Sequence, residues 1–334
     1  MEMRKNKTAR APLFGPVPSR RLGLSLGVDL VPLKTCPFDC VYCESGQTTT
    51  LTAERREFIP TARVVSALRS FLSESDGVAY VTFSGAGEPT LHSGIGEIAR
   101  FLKTDFPNRK TCLLTNAAPL VSDEGLFDEI KAIDLLVPSL DAATPDAFAA
   151  VNRPAPGITL EALTKAIAKL RRVAEGEFHL EIFVVPGVND SPESIAAFAN
   201  VVADIRPDKT LLNTLDRPGT ETWVEPAPKE KLAEFADAIS GASEIEIIGR
   251  PKTGAGKPEP ENRRLDGGEL ERLILETTAR RPCTAEDIAM ALGIDIRNAE
   301  NAIDAMRRNG VVETETSRRG VFVRPAAKHT ETKG

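Results

Sequence analysis

The sequence predicts an α/β fold, in which a partial (β/α)6-type parallel barrel is followed by a small C-terminal domain. Strand patterns alternate with amphipathic helix patterns from residue 24 to residue 248, and this alternation is typical of parallel βαβ units. A complete eightfold barrel usually needs about 250 residues, which favours a partial barrel. After residue 264 the pattern changes to short helices and two strands, which indicates a second unit.

Seven segments have the composition of buried strands, and helical patterns separate them. The strands are predicted at residues 24–31, 78–83, 111–115, 134–137, 178–185, 209–212 and 244–248. The helices are predicted at residues 61–72, around 95–102, and at 124–130, 159–173 and 229–239. A further helix is predicted to begin at Ser191 and Pro192. A serine followed by proline is a frequent helix start.

Composition and charge restrict the functional class. Of the 334 residues, 41% are hydrophobic and 27% are charged, as in a globular protein in water. The net charge of −6 argues against a large nucleic-acid-binding surface. We expect no membrane span, because no run of about eighteen apolar residues occurs. The basic N-terminal segment, residues 1–21, lacks the apolar core of a secretory signal, so we expect a cytoplasmic protein with reduced thiols.

Three cysteines lie close together directly after the first predicted strand. Cys36, Cys40 and Cys43 are spaced four and three residues apart. As thiolates they can hold three corners of an iron–sulfur cube, which leaves one of its four irons without a protein ligand. An open metal position is where a catalytic site takes a substrate or cofactor.

Two other interpretations of these cysteines are weaker. A zinc site needs a fourth ligand, and no other cysteine or histidine lies within forty residues of Cys43. Disulfides are disfavoured because the clustered cysteines are odd in number and no secretory signal is present. The remaining cysteines, Cys112 and Cys283, stand alone in apolar surroundings, and we expect them to pack as small hydrophobic residues.

Polar residues and glycines follow the next three strands as well. In parallel barrels the chemistry gathers in the loops after the carboxyl ends of the strands, although each such residue alone is also typical of an ordinary turn. Glycine allows close approach of the backbone to a ligand, and a glutamate supplies charge. The predicted cofactor-binding residues at these ends are Gly85, Gly87, Glu88, Pro89, Thr115, Asn116, Ser139 and Asp141.

Candidate substrate contacts come from the later strand ends and from arginines in two loops. The alternatives are turn formation for Asn189 and simple surface charge for the arginines. No catalytic acid, base or nucleophile is assigned from the sequence. The candidates are Arg20, Arg21, Arg153, Asn189, Asn213, Asp216 and Arg217.

The spacing of Cys36, Cys40 and Cys43 resembles the CxxxCxxC motif of the radical S-adenosylmethionine (SAM) superfamily. The resemblance implies a [4Fe–4S] cluster whose open iron is chelated by SAM, and reduction that releases a 5′-deoxyadenosyl radical. In that superfamily the residue equivalent to Tyr42 lies beside the adenine, and the loop equivalent to residues 85–89 holds the SAM amino group. The polar residues after the fourth strand, here Ser139 and Asp141, contact SAM. An external one-electron donor such as flavodoxin or ferredoxin is also implied.

Further motifs, including residues 14–21 and 213–218, resemble the branch of iron–sulfur oxidoreductases grouped with the wyosine-forming tRNA enzymes. Those synthases carry additional upstream cysteines, whereas this chain has none before Cys36, so we expect a different substrate. Three alternatives stay open: an enzyme acting on tRNA or a nucleotide, an enzyme modifying or activating a protein, and a non-enzymatic iron–sulfur DNA-binding regulator.

The C-terminal segment resembles a winged helix-turn-helix. Its elements are a helix at 269–278, a helix between Thr284 and Gly293, a helix at 295–308, and strands at 311–314 and 321–323. Residues 265–334 carry 11 basic and 12 acidic side chains, which disfavours DNA binding relative to presenting a protein substrate, dimerising or covering the barrel. The predicted domains are a barrel at 22–250, a linker at 251–264, this domain at 265–325 and a disordered tail at 326–334.

Overall fold

The computed structural model describes residues 11–19, 22–75, 77–248, 265–317 and 320–326. Arg20 and Arg21, the predicted linker at 251–264 and nearly all of the predicted tail lie outside the described residues. None of the helices within these ranges combines the length and the apolar character that crossing a membrane requires.

One sheet of eight strands forms the framework of the barrel. In chain order, the strands of the protein are β1 (Leu13–Ser19), β2 (Gly23–Val28), β3 (Thr35–Cys36), β4 (Thr50–Leu51), β5 (Tyr80–Phe83), β6 (Lys110–Thr115), β7 (Leu135–Pro138), β8 (Glu177–Phe183), β9 (Lys209–Asn213), β10 (Glu244–Ile247), β11 (Val312–Ser317) and β12 (Gly320–Pro325). In the large sheet, seven neighbouring strands run parallel, in the order β2-β5-β6-β7-β8-β9-β10, and β1 pairs antiparallel with β2 at one edge. The predicted parallel sheet and α/β class are therefore confirmed.

The helices between residues 61 and 239 cover the outer face of this sheet. Apolar residues recur along one face of each of them, and these faces pack against the strands in one large core. Two short 3-10 turns lie at Pro89–Leu91 and Ala118–Val121. The helices are α1 (Thr61–Glu74), α2 (Ile95–Asp105), α3 (Leu126–Ile130), α4 (Pro145–Val151), α5 (Leu160–Val173), α6 (Pro192–Ile205), α7 (Lys229–Ile239), α8 (Gly267–Thr278), α9 (Ala285–Leu292) and α10 (Ile296–Arg308).

Both faces of the central strands are buried, which explains their almost continuous apolar sequences. On β7, Leu136 joins the large core beneath the helices. Its neighbours Leu135 and Val137 join Cys112 and Leu211 in a second cluster. Because successive side chains of a strand point to opposite faces, this second cluster lines the inner face of the partial barrel.

Strand β1 is not predicted from the sequence, because its prolines and Gly15 are unfavourable in most strands. As an edge strand it has a ladder partner on one side, which makes proline tolerable. The pairing of β1 with β2 shifts register between Phe14 and Val17. A Cβ at Gly27 would lie 2.1 Å from the Phe14 ring, so this glycine of β2 makes room for the edge strand.

Local helix signals are accurate in most places. The Thr159 hydroxyl accepts the Ala162 amide at the start of α5, and the Ser191 hydroxyl accepts the Ser194 amide at the start of α6. Helix α4 is not predicted, since seven residues give a weak periodic signal. It matters for the site because Asn152 directly follows it.

Residues 265–326, called the C-terminal region below, contain α8, α9, α10 and the antiparallel pair β11–β12. Their core includes Ile274, Ile288, Ile303 and Met306. Helix α9 begins with a capping box in which Thr284 and Asp287 bond to each other's backbone amides, and it ends at Gly293 with a left-handed backbone. The order of elements follows the expectation, while the winged-helix assignment and the domain boundaries stay predictions.

Candidate functional site

The three clustered cysteines lie in a loop after the carboxyl end of β2. We call residues 29–46 the cluster loop. Its short strand β3 pairs with β4, and Thr48 fixes the turn by donating its amide to Asp39 (2.7 Å) and its hydroxyl to the Phe38 carbonyl (2.7 Å). Further on, the Cys43 amide donates to the Cys40 carbonyl (3.1 Å). The loop is therefore held in place by its own backbone and by one neighbouring strand.

Each cysteine sulfur accepts a hydrogen bond from a different part of the chain. Asn116 Nδ2 lies 3.3 Å from Cys36 Sγ, Asn152 Nδ2 lies 3.4 Å from Cys40 Sγ, and Lys34 Nζ lies 3.0 Å from Cys43 Sγ. Donors to sulfur stabilise thiolates that ligate iron. Neither Lys34 nor Asn152 is predicted from the sequence, although Lys34 stands only two residues before the first cysteine.

Burial is the main influence on the pKa of two of these thiols, Cys36 and Cys40. It raises the pKa of Cys36 to about 12, with a smaller contribution from the charge of Glu88. It also raises the pKa of Cys40 well above its ordinary value, followed by the charge of Asp141. Binding iron therefore requires these two thiols to release protons, as metal binding to cysteine generally does.

The donor set fits an iron–sulfur cube. Within the described ranges, no three His, Cys, Asp or Glu side chains are grouped as the ligands of a single metal ion would be. A cube asks for a different arrangement, because each thiolate binds its own iron. Three cysteines in one loop, each with its own donor, meet that requirement.

The loop at residues 84–90 is packed against the cluster loop. A Cβ at Gly85 would lie 2.2 Å from Asp29 Oδ1, and a Cβ at Gly87 would lie 2.3 Å from the Thr35 carbonyl oxygen. The close approach that each glycine allows is to the cluster loop, while the predicted contact of both glycines with a cofactor stays a prediction. The Glu88 amide also donates to the Thr35 carbonyl (3.1 Å), so the two loops form one rigid edge.

Glu88 is only 3% exposed and joins the loop after β5 to the end of β6. Its Oε1 accepts the Thr90 amide (3.0 Å), the Thr90 hydroxyl (2.5 Å) and the Thr115 hydroxyl (2.6 Å). Its Oε2 accepts the Asn116 amide (2.8 Å). Burial raises the pKa of Glu88, while these bonds oppose the shift. Pro89 begins the 3-10 turn that follows. Glu88 thereby fixes Asn116, whose side chain reaches Cys36.

Asp141 is the centre of a second buried network. Its Oδ2 accepts the Tyr42 hydroxyl (2.5 Å) and Asn152 Nδ2 (2.9 Å), and its Oδ1 accepts the Phe183 amide (3.0 Å). Burial raises the pKa of Asp141 to about 6 even though these bonds lower it. The Tyr42 ring stacks on Phe183 with centroids 3.7 Å apart. Asp141 thus holds Tyr42, and with it the segment between Cys40 and Cys43.

Three other predicted residues form hydrogen bonds to neighbouring parts of the barrel. The Ser139 amide donates to the Thr115 carbonyl (2.8 Å). Asn189 is fully buried and donates to the carbonyls of Asp141 (2.8 Å) and Phe183 (2.7 Å), which is a turn-stabilising role. Asn213 donates to Glu181 (3.2 Å). Asn189 and Asn213 therefore bond within the barrel.

Arg217 bonds within the chain instead of standing free at the barrel mouth. It is 6% exposed, and its Nη1 lies 2.8 Å from the Pro282 carbonyl oxygen and 2.6 Å from Asp287 Oδ2. Its Nε lies 3.6 Å from Glu44, the residue after Cys43. Arg217 thereby joins the loop after β9 to the C-terminal region.

Two further contacts bring the C-terminal region to the cluster loop. The Ser45 hydroxyl donates to the Arg280 carbonyl (2.7 Å). Arg280 Nε lies 3.6 Å from Asp29 Oδ2, and its guanidinium lies 4.7 Å from the centre of the Phe14 ring. The C-terminal region is therefore docked at the barrel edge that carries the cysteines.

A cavity of about 610 Å³ lies between the loop after β9 and β11. We call residues 214–228 the β9–α7 loop. Asp216 lines this cavity, as does Glu221, which is paired with the predicted substrate residue Arg153 (2.6 Å). The Glu221 amide donates to the Val41 carbonyl (3.0 Å), and the Thr220 hydroxyl donates to the Cys43 carbonyl (3.1 Å). The cavity wall is thus bonded directly to the cluster loop.

Comparison with known protein families identifies the class of enzyme. Residues 30–199 match the model of the radical SAM superfamily, a stretch that contains the three cysteines and the loop at residues 84–90. The chain belongs to the radical SAM superfamily. It is a radical SAM enzyme, whose cofactors are a [4Fe–4S] cluster and SAM. The α/β architecture is accordingly that of a partial radical SAM barrel.

Curated relatives refine this placement. A UPF0026 protein of Methanocaldococcus jannaschii is 31% identical over 71% of this chain and 74% of its own length, so this radical SAM protein also belongs with the UPF0026 proteins. A protein named GTPase Obg from Brachyspira hyodysenteriae is 29% identical over 93% of this chain. The chain spans 45% of that relative's length.

Solved structures share the fold. Streptococcus suis SuiB, crystallised with its precursor peptide SuiA, matches with a TM-score of 0.51 and 16% identity, over 68% of this chain and 50% of SuiB. The relation to the wyosine-forming branch and the winged-helix assignment stay predictions.

Proposed function

We propose that this radical SAM enzyme cleaves SAM reductively at a [4Fe–4S] cluster held by Cys36, Cys40 and Cys43, and abstracts hydrogen from a substrate. The observation that carries the proposal is the number of cysteines at the site, which is three and not four. Cys112 is buried in the barrel core and Cys283 in the core of the C-terminal region, so neither joins the loop. Three ligands leave one iron for SAM.

When bound and reduced by an external donor of the flavodoxin or ferredoxin type, the cluster would supply the one electron that breaks the S–C5′ bond of SAM, which leaves methionine and a 5′-deoxyadenosyl radical. The chain contributes position and exclusion of water. An apolar cluster surrounds the segment between Cys40 and Cys43; its buried members are Val41, Val151, Phe183, Val185 and Val224. This apolar surrounding protects a reactive radical from solvent.

We assign the binding of SAM to the strand ends beside the cluster loop. Each carboxylate oxygen can accept about two hydrogen bonds. Glu88 Oε1 accepts three, whereas Oε2 accepts one, so Oε2 has capacity for the amino group of SAM. We propose Tyr42 as the contact to the adenine, because it lies between Cys40 and Cys43. The other proposed contacts are Gly85, Gly87, Pro89, Thr115, Asn116, Ser139 and Asp141.

A protein substrate is favoured over RNA by the charge of the cavity beside the β9–α7 loop. Among the described residues that line it, the acidic ones are Asp216, Glu221, Glu225 and Glu315, and the basic one is Arg217. Ion pairs compensate the charge of Arg217, through Asp287 and Glu44. They also compensate the charges of Glu221, through Arg153, and of Glu315, through Arg324. The wall therefore carries no positive excess. Nucleic-acid backbones require a positive surface, so this wall disfavours phosphate. We propose that a substrate segment enters here, past the C-terminal region.

The test is anaerobic reconstitution with iron and sulfide, reduction by dithionite, and detection of 5′-deoxyadenosine from SAM. The native chain should form it, and Cys40→Ala should abolish it together with the cluster absorbance. Cys283→Ala is the matched control, because it removes a cysteine outside the site and should keep both. Undiminished cleavage by Cys40→Ala would contradict the ligand assignment. A chain that binds a cluster but never cleaves SAM would support the regulator alternative.

A further inference from the structure

Lys34 is buried beside the cluster loop. Its side chain ends 3.0 Å from Cys43 Sγ, and the residue is 5% exposed. Its backbone is left-handed, with φ of 57°, a conformation that a lysine adopts only when its surroundings impose it. The Lys34 amide donates to the Ala86 carbonyl (2.8 Å), and its carbonyl accepts the amides of Thr49 and Thr50 (3.1 and 3.0 Å). The fold thus holds this ammonium against one sulfur.

The three donors to sulfur are not equivalent. Asn116 and Asn152 offer neutral amides, whereas Lys34 offers a charged ammonium. A buried charge is costly unless an opposite charge lies next to it. Within the described part of the chain, no carboxylate forms an ion pair with Lys34. The partner that the geometry provides is the Cys43 sulfur, which would be a thiolate as a ligand of iron.

We propose that Lys34 is a positioning residue that raises the reduction potential of the cluster. The inference rests on the proposed function, since it requires a cluster on Cys43. One-electron reduction, with the electron taken from an external low-potential donor, adds one negative charge to the cluster and breaks no bond. A fixed cation and its N–H···S hydrogen bond stabilise that added charge. Lys34 therefore makes the cluster easier to reduce than the two asparagines alone would.

The neutral donors set the contrast within the site. Glu88 accepts a hydrogen bond from the backbone amide of Asn116, and Asp141 accepts one from the side-chain amide of Asn152. Both asparagines are thus tied to carboxylates whose negative charge opposes reduction. Lys34 brings a positive charge to the same group of sulfurs, so we expect its removal to change the potential more than removal of either amide.

The experiment is a redox titration of the reconstituted enzyme without SAM, followed by the EPR signal of the reduced cluster. Lys34→Met removes the charge and the donor at similar length. We expect its equilibrium constant for reduction to fall at least tenfold, which for one electron is about 59 mV. Lys34→Arg, which keeps a charged donor, should recover most of the difference.

Lys110→Met is the matched control. Lys110 is exposed at the amino end of β6, whereas the cysteines follow the carboxyl end of β2, so this substitution should leave the reduction potential of the cluster unchanged. An unchanged potential in Lys34→Met overturns the inference, and so does an equal shift in Lys110→Met. If Lys34→Met does not retain a cluster, Lys34→Gln is titrated instead under the same criterion. Loss of the cluster in both variants also overturns it, because Lys34 would then act in assembly. A native enzyme without any reducible cluster would refute the proposed function instead.

Discussion

Two sides of the same barrel edge are built in different ways. On the cluster side, formed by the cluster loop and the ends of β5, β6 and β7, buried carboxylates bond to neighbouring strands within the barrel, as Glu88 and Asp141 do. On the cavity side, formed by the β9–α7 loop, Arg217 bonds to the C-terminal region. All three side chains that bond to the cysteine sulfurs come from the barrel, whereas the cavity lies between the β9–α7 loop and β11 of the C-terminal region. In the proposed function, substrate selection depends on the second side.

On the cluster side, substitution of Asp141 should have the largest effect on stability. Asp141→Ala leaves the Tyr42 hydroxyl, the Asn152 amide and the Phe183 amide without their acceptor, and stranded buried donors cost about 1–3 kcal/mol each. We expect the free energy of unfolding to fall by about 4 kcal/mol, measured by anaerobic denaturant titration. Asp141→Asn keeps one carbonyl oxygen and should lose less. Equal losses in the two variants would show that the hydrogen bonds do not matter.

On the cavity side, substitution of Arg217 should weaken the contact between the β9–α7 loop and the C-terminal region. Arg217→Met leaves Asp287 partly buried without its cation, and removing one partner of a buried pair costs about 3 kcal/mol. We expect faster hydrogen exchange at residues 280–287, a smaller increase at Glu44 and Ser45, which contact Arg217 and Arg280, and little change in the rest of the cluster loop. The control is Arg171→Met, which removes a more exposed pair with Asp208 and should cost less than about 1 kcal/mol. Equally increased exchange in the cluster loop would mean that the two sides are not independent.

Glu88 sharpens the comparison, because its two oxygens have different roles. Glu88→Gln should weaken SAM binding about tenfold, equivalent to about 1.4 kcal/mol, because it removes the charge that we propose for recognition of the SAM amino group. Thr115→Val removes one bond to Oε1 and leaves Oε2 unchanged, so its affinity for SAM should change less. Isothermal titration of the reconstituted protein measures both. A stronger effect of Thr115→Val would contradict the assignment of Oε2.

The smallest expected effect is on the pH dependence of stability, and it comes from His92, which belongs to neither side. His92 is buried, its Nε2 bonds to the Ile59 carbonyl (2.7 Å) and its Nδ1 accepts the Gly94 amide (3.0 Å). Burial lowers the pKa of His92 below its ordinary 6.5. A lowered pKa in the fold gives stability that is present above pH 6.5 and lost as the pH falls through the folded pKa. The native chain should therefore lose more stability than His92→Gln between pH 7 and pH 5, and parallel curves would contradict this.

The sequence predicts the framework better than the site. All seven parallel strands follow from apolar runs and their spacing, because burial on both faces leaves a strong pattern. The edge strand β1 escapes prediction because its prolines are tolerated for a tertiary reason. Cys36, Cys40 and Cys43 are recognised from spacing alone, and the match to the radical SAM superfamily confirms the class of enzyme.

The supporting residues of the site are harder to predict. Lys34 and Asn152 reach the sulfurs through a left-handed backbone and the end of a short helix, and neither feature has a clear sequence signal. Arg217 is recognised as an important charge, but its partners Asp287 and Pro282 lie 65 or more residues away in the chain. Contacts of that range depend on how the C-terminal region docks, which local patterns do not encode.

The most direct test of the central claim is the EPR spectrum of the dithionite-reduced protein with and without SAM. The account predicts a [4Fe–4S] signal at about one cluster per chain, and a changed spectrum once SAM binds the iron that lacks a protein ligand. A spectrum that SAM leaves unaltered, or a protein that carries stoichiometric zinc and no cluster, would contradict it.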